Sequence, residues 1–369
     1  MDEARSINPA GITRRYPVST NFADRLSAWQ ERHGRRNLPW QGGRDPYRIW
    51  VSEIMLQQTQ VAAVIPYYRR FLARFPNLVA LARAEEDEVL GLWAGLGYYA
   101  RARNLHRAAQ TIERDYAGVF PTQIEAVLAL PGVGRSTAAA ICVFAYGARA
   151  AILDGNVKRV LARHFGVDGF PGERSVGDAL WQLSESLLPA RRIETYTQGL
   201  MDLGALVCVR ANPRCGECPL RDTCVALRER RTGVLPAPRP ARVLPQRQTS
   251  MLVLLSQGEL LLEKRPAPGI WGGLWCFPEV DGARLQEECL ARFGFAVNAP
   301  RRLDDFEHGF THFRLRITPV LANVERRPGL SEPGRLWLAL EDARGAAIPV
   351  PVRRILGLLE KDLAPSAAP

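Results

Sequence analysis

The chain has 369 residues, 47% of them hydrophobic, which suits two globular domains that each bury a core of their own. A formal net charge of +11 predicts a polyanionic partner, nucleic acid being the usual one, although a merely basic, solvated surface would read the same way. No apolar run approaches the ~20 residues of a membrane span. The N-terminus, with Asp2 and Glu3, lacks the apolar core of a signal peptide, so a cytoplasmic protein is expected.

Residues 1–20 read as an unstructured leader. From Phe22 to about Arg228 the pattern is helical: Phe22, Leu26 and Trp29 recur at helix spacing, and 85–93 and 101–116 read as helices stopped near a glycine. No strand is expected in this half. Glu53 lies in an apolar stripe, with Ile49, Trp50 and Leu56 on its helix face. A carboxyl there is poorly solvated and its pKa rises, unless it sits at the stripe's edge with its head in water. Leu130-Pro-Gly-Val-Gly-Arg-Ser-Thr137 joins two helical runs. Gly132-x-Gly134 lets backbone approach an anion, and a helix starting near Ser136 points its first amides outward. An ordinary glycine turn between packed helices has the same local sequence. Asp154 follows the apolar run 150–153 and precedes a helical run at 156–164. Backbone N–H groups and the dipole at a helix start favour its charged form, whether as a plain cap or as a functional anion.

Four cysteines follow as Cys208-x6-Cys215-x2-Cys218-x5-Cys224. Four thiolates in one loop suit zinc or a cubane iron–sulfur cluster. Structural zinc usually takes two separated Cys-x-x-Cys knuckles; one close pair flanked by single cysteines favours a loop wrapped around a larger object. Pro213 and Pro219 stiffen that loop, and Arg210, Arg214 and Arg221 add positive charge. The remaining cysteines, Cys142, Cys276 and Cys289, lie in apolar sequence and are expected to be buried. From 232 to 248 the chain turns proline- and arginine-rich, the composition of a stiff linker. Beyond it the period changes. Two apolar runs, 251–255 and 259–263, flank Gln257-Gly258 as a hairpin; 312–320 and 336–340 read as strands; 283–292 and 352–363 read as helices.

Residues 21–228 resemble the helix-hairpin-helix DNA glycosylases that carry an iron–sulfur cluster, with the hairpin at 130–135 and the four-cysteine loop as matching motifs. Within that superfamily three stretches resemble the MutY adenine DNA glycosylases: Trp50-Val-Ser-Glu-Ile-Met-Leu-Gln-Gln-Thr-Gln60, Gly95-Leu-Gly-Tyr-Tyr-Ala-Arg-Ala-Arg-Asn104 and Ile152-Leu-Asp-Gly-Asn-Val-Lys-Arg159. The resemblance implies a 4Fe–4S cluster on Cys208, Cys215, Cys218 and Cys224. It implies that Glu53 protonates adenine at N7 and can then act as base toward water. Asp154 would stabilise positive charge at C1′ or bond to it briefly, with Asn156 orienting the site. This is the two-carboxylate logic of glycoside cleavage. An adenine must leave the duplex to reach these groups. The resemblance assigns Gln58 and Tyr98 to filling or prying open the stack, Gly132, Val133, Gly134 and Ser136 to the DNA backbone, and Gln198 to the adenine pocket. In related glycosylase/lyases a lysine at the place of Ser136 forms an imine with the sugar; a hydroxyl cannot, so a monofunctional glycosylase is expected.

Residues 248–363 resemble the Nudix-like C-terminal domain of the same family, most clearly at Trp271-Gly-Gly-Leu-Trp-Cys-Phe-Pro278. The glutamate-rich helix of a Nudix hydrolase is degenerate at 282–289, so base recognition without hydrolysis is expected. Where the family reads 8-oxoguanine with Phe-Ser-His, this chain has Phe310-Thr311-His312, keeping the hydroxyl and adding a methyl. The expected organisation is therefore multidomain: a leader at 1–20, an all-α helix-hairpin-helix glycosylase domain at 21–230 with its cluster loop at 208–224, a linker at 231–247, an α+β Nudix-like domain at 248–363 and a tail at 364–369. The implied partner is double-stranded DNA with adenine opposite 8-oxoguanine or guanine, bound by a monomer without membrane attachment.

Overall fold

A computed structural model describes residues 21–241, 243–267, 269–282, 284–325 and 333–363; the leader and tail expected at 1–20 and 364–369 lie outside this range. From Phe22–His33 to Val225–Arg228 the described chain is helical, and all eight strands follow Ala241.

Two helices position the chemistry. The helix Pro46–Leu56 starts where proline presets φ and the Asp45 side chain accepts from Tyr47 N at 2.9 Å. Ile49, Trp50, Val51, Ile54 and Met55 are all buried, so the helix runs through the interior with Glu53 as its only acid. The helix Gly155–Phe165 is capped by Asp154, whose carboxylate accepts from Val157 N at 2.7 Å. It packs with Phe22–His33 and Ile193–Leu206 around Phe22, Leu26, Val157, Leu161 and Leu200. The hairpin expected at 130–135 connects Ile124–Leu128 to Arg135–Tyr146, with Gly132 at φ +77°.

The chain packs into two compact units, residues 21–79 with 107–241, and residues 80–106 with 243–363. The division drawn from composition differs from this in one segment. Residues 80–106 are helical, yet they pack with the C-terminal half. The proline-rich stretch is also only partly a linker. Leu235 is buried and its carbonyl accepts from Arg163 Nε at 2.8 Å, while the first strand already begins at Gln246.

In the second unit the strands are β1 (Gln246–Ser256), β2 (Glu259–Lys264), β3 (Trp275–Cys276), β4 (Glu279–Val280), β5 (Asn298–Arg302), β6 (Phe306–Gly309), β7 (Arg314–Asn323) and β8 (Arg335–Ala339). They form a mixed sheet in the order β3-β2-β1-β7-β5, with β4 on β1, β6 on β7 and β8 on β2. The β1–β2 hairpin forms around Gln257-Gly258 as its pattern predicts. The parallel pairing of β1 with β7, from Gln246 opposite Arg314 to Leu255 opposite Asn323, has no local signal in the sequence. The helix Leu285–Phe293 buries Cys289 and Phe293 against Leu252, Leu254 and Val320. The β6–β7 turn carries Phe310-Thr311-His312. No described helix is long and apolar enough to cross a membrane.

The cap on the Glu53 helix is testable by itself. Replacing Asp45 by alanine should cost about 1 kcal/mol, read as a lowered midpoint of thermal unfolding; an unchanged midpoint would show that Pro46 and burial alone set this helix start.

Candidate active site

Glu53 opens onto a cavity of about 480 Å³ whose wall also includes Trp40, Gln41, Arg44, Phe144 and Gln198. Glu53 is only half-buried and part of its surface faces this cavity, while the surrounding protein still desolvates the carboxyl. Burial, and after it the negative charge of Asp154, push the Glu53 carboxyl up to about 8. Among the described residues, none donates a hydrogen bond to it. Asp154 is set differently. Val157 N donates to one of its oxygens at 2.7 Å and Asn156 Nδ2 to the other at 3.4 Å. Burial still pushes its carboxyl upward, but these donors and the charge of Arg159 pull in the opposite direction. The sequence expectation of a simply stabilised anion is thus corrected: the cap geometry is present, and desolvation outweighs it. The two carboxyls remain unequal, since only Asp154 has donors fitted to its charged form.

Ser136 does not point to solvent. Its Oγ accepts from Leu153 N at 2.9 Å and so fixes the backbone next to Asp154. Gly132 and Gly134 are exposed at the hairpin tip, whereas the Val133 side chain is buried, leaving only its backbone for an external ligand. Gln198 Nε2 donates to Asp202 Oδ1 at 2.9 Å, which turns the amide oxygen into the free acceptor on that side chain. Asp202 is fully buried and is held in turn by Arg35 Nε at 2.6 Å. Gln58, just past the end of the Glu53 helix, is exposed with φ +58°, a left-handed backbone that costs a non-glycine residue about 1 kcal/mol.

The thiols of Cys208, Cys215, Cys218 and Cys224 line one small cavity, walled also by Val207, Pro213 and Leu227. All four are unbridged. Burial raises the thiol pKa of Cys215 and Cys224 and pushes that of Cys218 up to about 12. Among the described residues no three His, Cys, Asp or Glu side chains converge as ligands of a single metal ion. All four thiols nevertheless line the same small cavity, and four thiolates are a donor set that suits zinc or an iron–sulfur cluster.

Sequence reasoning missed what joins this loop to the carboxylates. Arg159 Nη2 donates to Asn156 Oδ1 at 2.8 Å and to Gly204 O at 2.7 Å, while its Nε donates to Cys208 O at 2.7 Å. One turn on, buried Arg163 donates from Nη1 to Val209 O at 2.7 Å and from Nη2 to Arg210 O at 2.9 Å. Two arginines four apart among Val157, Val160 and Leu161 were the available signal; their partners, some 45 residues away, were not readable. Of the loop arginines expected to add charge, Arg221 lines the thiol cavity, and Arg214 pairs with Glu217 at 3.5 Å.

In the second unit Tyr98 is 48% exposed with φ +50°, whereas Tyr99 is buried. Phe310 stacks on Phe313 with centroids 4.5 Å apart and meets Trp271 at 5.5 Å. Thr311 and His312 are exposed at the turn, with Thr311 Oγ1 3.4 Å from His312 Nδ1. Glu287 is engaged by Arg284 Nε at 3.0 Å, and Glu288 accepts from Asp281 N at 3.3 Å.

Residues 51–186 match the model of the HhH-GPD superfamily of base excision DNA repair proteins, and residues 250–358 match the NUDIX domain. The adenine DNA glycosylase of Buchnera aphidicola subsp. Acyrthosiphon pisum is 36% identical over 347 residues, covering 93% of this chain and 98% of that protein. The chain belongs to the adenine DNA glycosylase family. The human adenine DNA glycosylase is 32% identical over 415 residues, covering 95% of this chain and 76% of that protein. Among solved structures, a thermostable thymine-DNA glycosylase superposes with a TM-score of 0.52 at 31% identity, covering 56% of this chain and 95% of that one. As an adenine DNA glycosylase the protein is a base-excision enzyme that acts on DNA, built from a helical helix-hairpin-helix domain and an α+β Nudix-like domain.

The raised Glu53 carboxyl has a consequence for stability. The folded chain holds this proton up to about 8, while the unfolded chain releases it near the ordinary carboxyl value of 4.5. The contribution is therefore complete at low pH and is lost as pH rises through about 8. Melting temperatures of the wild type relative to Glu53→Gln should fall steadily across that window; parallel curves would mean that the carboxyl ionises as freely as in water.

Proposed function

We propose that the protein is a monofunctional adenine glycosylase that removes adenine paired with 8-oxoguanine or guanine and leaves an abasic site. The observation that carries this reading is the cavity of about 480 Å³ with Glu53 and Gln198 in its wall; burial and then the charge of Asp154, a donor-held carboxyl outside that wall, push the Glu53 carboxyl up. In this scheme the everted adenine enters the cavity, where the Gln198 amide oxygen can accept from its exocyclic amine. Glu53 donates its proton to N7 as the C1′–N9 bond lengthens, so that the electron pair of that bond leaves with a neutralised purine. The sugar becomes oxocarbenium-like, and the Asp154 carboxylate stabilises it. Glu53, now ionised, takes a proton from the attacking water.

Ser136 cannot supply the amine of an imine, and its Oγ is already committed to Leu153 N. The exposed glycine backbone of the hairpin and the left-handed Gln58 and Tyr98 suit contacts to the DNA backbone and to the opened stack. We assign a 4Fe–4S cluster to Cys208, Cys215, Cys218 and Cys224, supported by the four thiols around one cavity. Such a cluster would brace the loop rather than react with substrate; Arg159 and Arg163 hold the loop's backbone onto the Asp154 helix. In the second unit Phe310, Thr311 and His312 offer an aromatic face, a hydroxyl and an imidazole, which together match the ring, O8 and N7–H of an oxidised guanine.

Single-turnover assays on duplexes with adenine opposite 8-oxoguanine should show free adenine and no borohydride-trapped adduct. Glu53→Gln should lower that rate by about 10²–10⁴-fold while mismatch binding persists; near-normal release would remove Glu53 from the acid role. Phe310→Ala should reduce the preference for 8-oxoguanine over guanine at least several-fold while slowing release opposite guanine little, and an unchanged ratio of rates would take base reading away from this loop.

A further inference from the structure

Residues 80–106 pack in the same unit as the Nudix-like fold. Asp87 Oδ1 pairs with Lys264 Nζ at 2.7 Å. Gly273 has φ +79°, and a Cβ there would lie 3.1 Å from both Glu86 Oε1 and Leu90 Cδ1, so the helix Glu86–Trp93 rests directly on this glycine. Beside it Arg103 Nη1 donates to Gly272 O. The preceding residue, Trp271, is buried and faces Phe310 at 5.5 Å and His308 at 5.8 Å.

In the other direction Arg103 leads to Tyr98. Arg103 N donates to Tyr99 O at 3.1 Å. Arg101 Nη2 donates to Gly97 O at 3.0 Å, and Trp93 Nε1 donates to the same carbonyl at 3.1 Å. The Arg101 guanidinium also lies 5.6 Å from the Tyr98 ring. The 95–99 loop is thus held against the first turn of the helix Ala100–Asp115, and that turn is tied through Arg103 to the backbone beside Trp271. A shift of the Phe310 loop and a shift of the Tyr98 loop are connected through the Trp271 ring contact and the Arg103 hydrogen bond.

We propose that Arg103 is a positioning residue that couples the Phe310-Thr311-His312 loop to Tyr98, so that an oxidised guanine held by the loop sets Tyr98 for extrusion of the opposite adenine. The proposal rests on the base-reading and wedge roles given above. Its physical content is a difference in Tyr98 placement between the occupied and empty loop, transmitted by Trp271, the Gly272 carbonyl and the Arg103 guanidinium. A residue that only held the fold together would slow release opposite either base alike. A coupling residue acts on their ratio.

The test uses the full chain and single-turnover adenine release opposite 8-oxoguanine and opposite guanine. Arg103→Met keeps the stem and removes the donor; it should lower the ratio of the two rates by about tenfold, within the usual range of coupling between sites. Arg103→Lys, which keeps a donor, should restore most of the ratio. In a Tyr98→Ala background Arg103→Met should change the ratio no further. If Arg103→Met lowers the melting temperature, Trp271→Leu carries the same test by removing the ring that meets Phe310 on that path, with the same fall in the ratio expected. A ratio within twofold of wild type in Arg103→Met, with Phe310→Ala still lowering it, overturns the coupling and leaves base reading intact. An effect of Arg103→Met that adds fully to that of Tyr98→Ala also overturns it. If Phe310→Ala itself leaves the ratio unchanged, the base-reading assignment fails and the coupling falls with it.

Discussion

A carboxyl to which no described residue donates a hydrogen bond, set against a second carboxyl, is the constraint around which the helical unit is organised. Removing an ion from water is costly, so an isolated Glu in this position keeps its proton. Asp154 stands at a helix start, where two donors compensate part of its burial. The two groups therefore respond differently to burial, which pushes both carboxyls up. One remains an acid at neutral pH, and the other has the surroundings of an anion. Neither condition requires an unusual residue; each follows from where the backbone N–H groups are.

That arrangement needs a rigid frame, because a small displacement would loosen the packing around Glu53 or separate Asp154 from its donors. The frame comes from two sides. Trp50, Ile54 and Met55 lock the Glu53 helix in the interior. On the other side Ser136, Asn156 and Arg159 anchor the Asp154 turn, and Arg159 also grips the backbone of Cys208. The cysteine loop is thus fastened to the same short helix that carries the candidate anion. Buried Arg163 and half-buried Arg159 are tolerated there because carbonyl groups at the open ends of loop and helix accept their N–H groups.

In the second unit a Nudix-like sheet carries the loop proposed to read the opposing base. Its degenerate helix spends Glu287 and Glu288 on local contacts to Arg284 and Asp281 N. The aromatic group of Trp271, His308, Phe310 and Phe313 gathers at the β6–β7 turn instead. Residues 80–106 join this unit through Asp87, Arg103 and close packing at Gly273. The exposed, left-handed Tyr98 therefore packs in the same unit as the Phe310-Thr311-His312 turn, although in chain order it lies among the helices.

Much of this was written locally. Periodicity marked the helices around Glu53 and Asp154, the glycine hairpin and the β1–β2 turn, because each depends on contacts only a few residues apart. The cysteine spacing marked a soft-donor loop for the same reason. What stayed hidden depends on pairs distant in sequence: the parallel β1–β7 ladder, the grip of Arg159 and Arg163 on the cysteine loop, the Ser136 bond to Leu153, and the transfer of 80–106 to the C-terminal unit. The sign of the shift at Asp154 was hidden too. A cap is a local feature visible in the chain, but desolvation sums over every neighbour the fold brings near. The amino-acid order by itself determined which side chains could act as acid, anion and soft ligand. Only the tertiary structure decided their protonation and their company, because burial and long-range hydrogen bonds exist only once distant segments have packed.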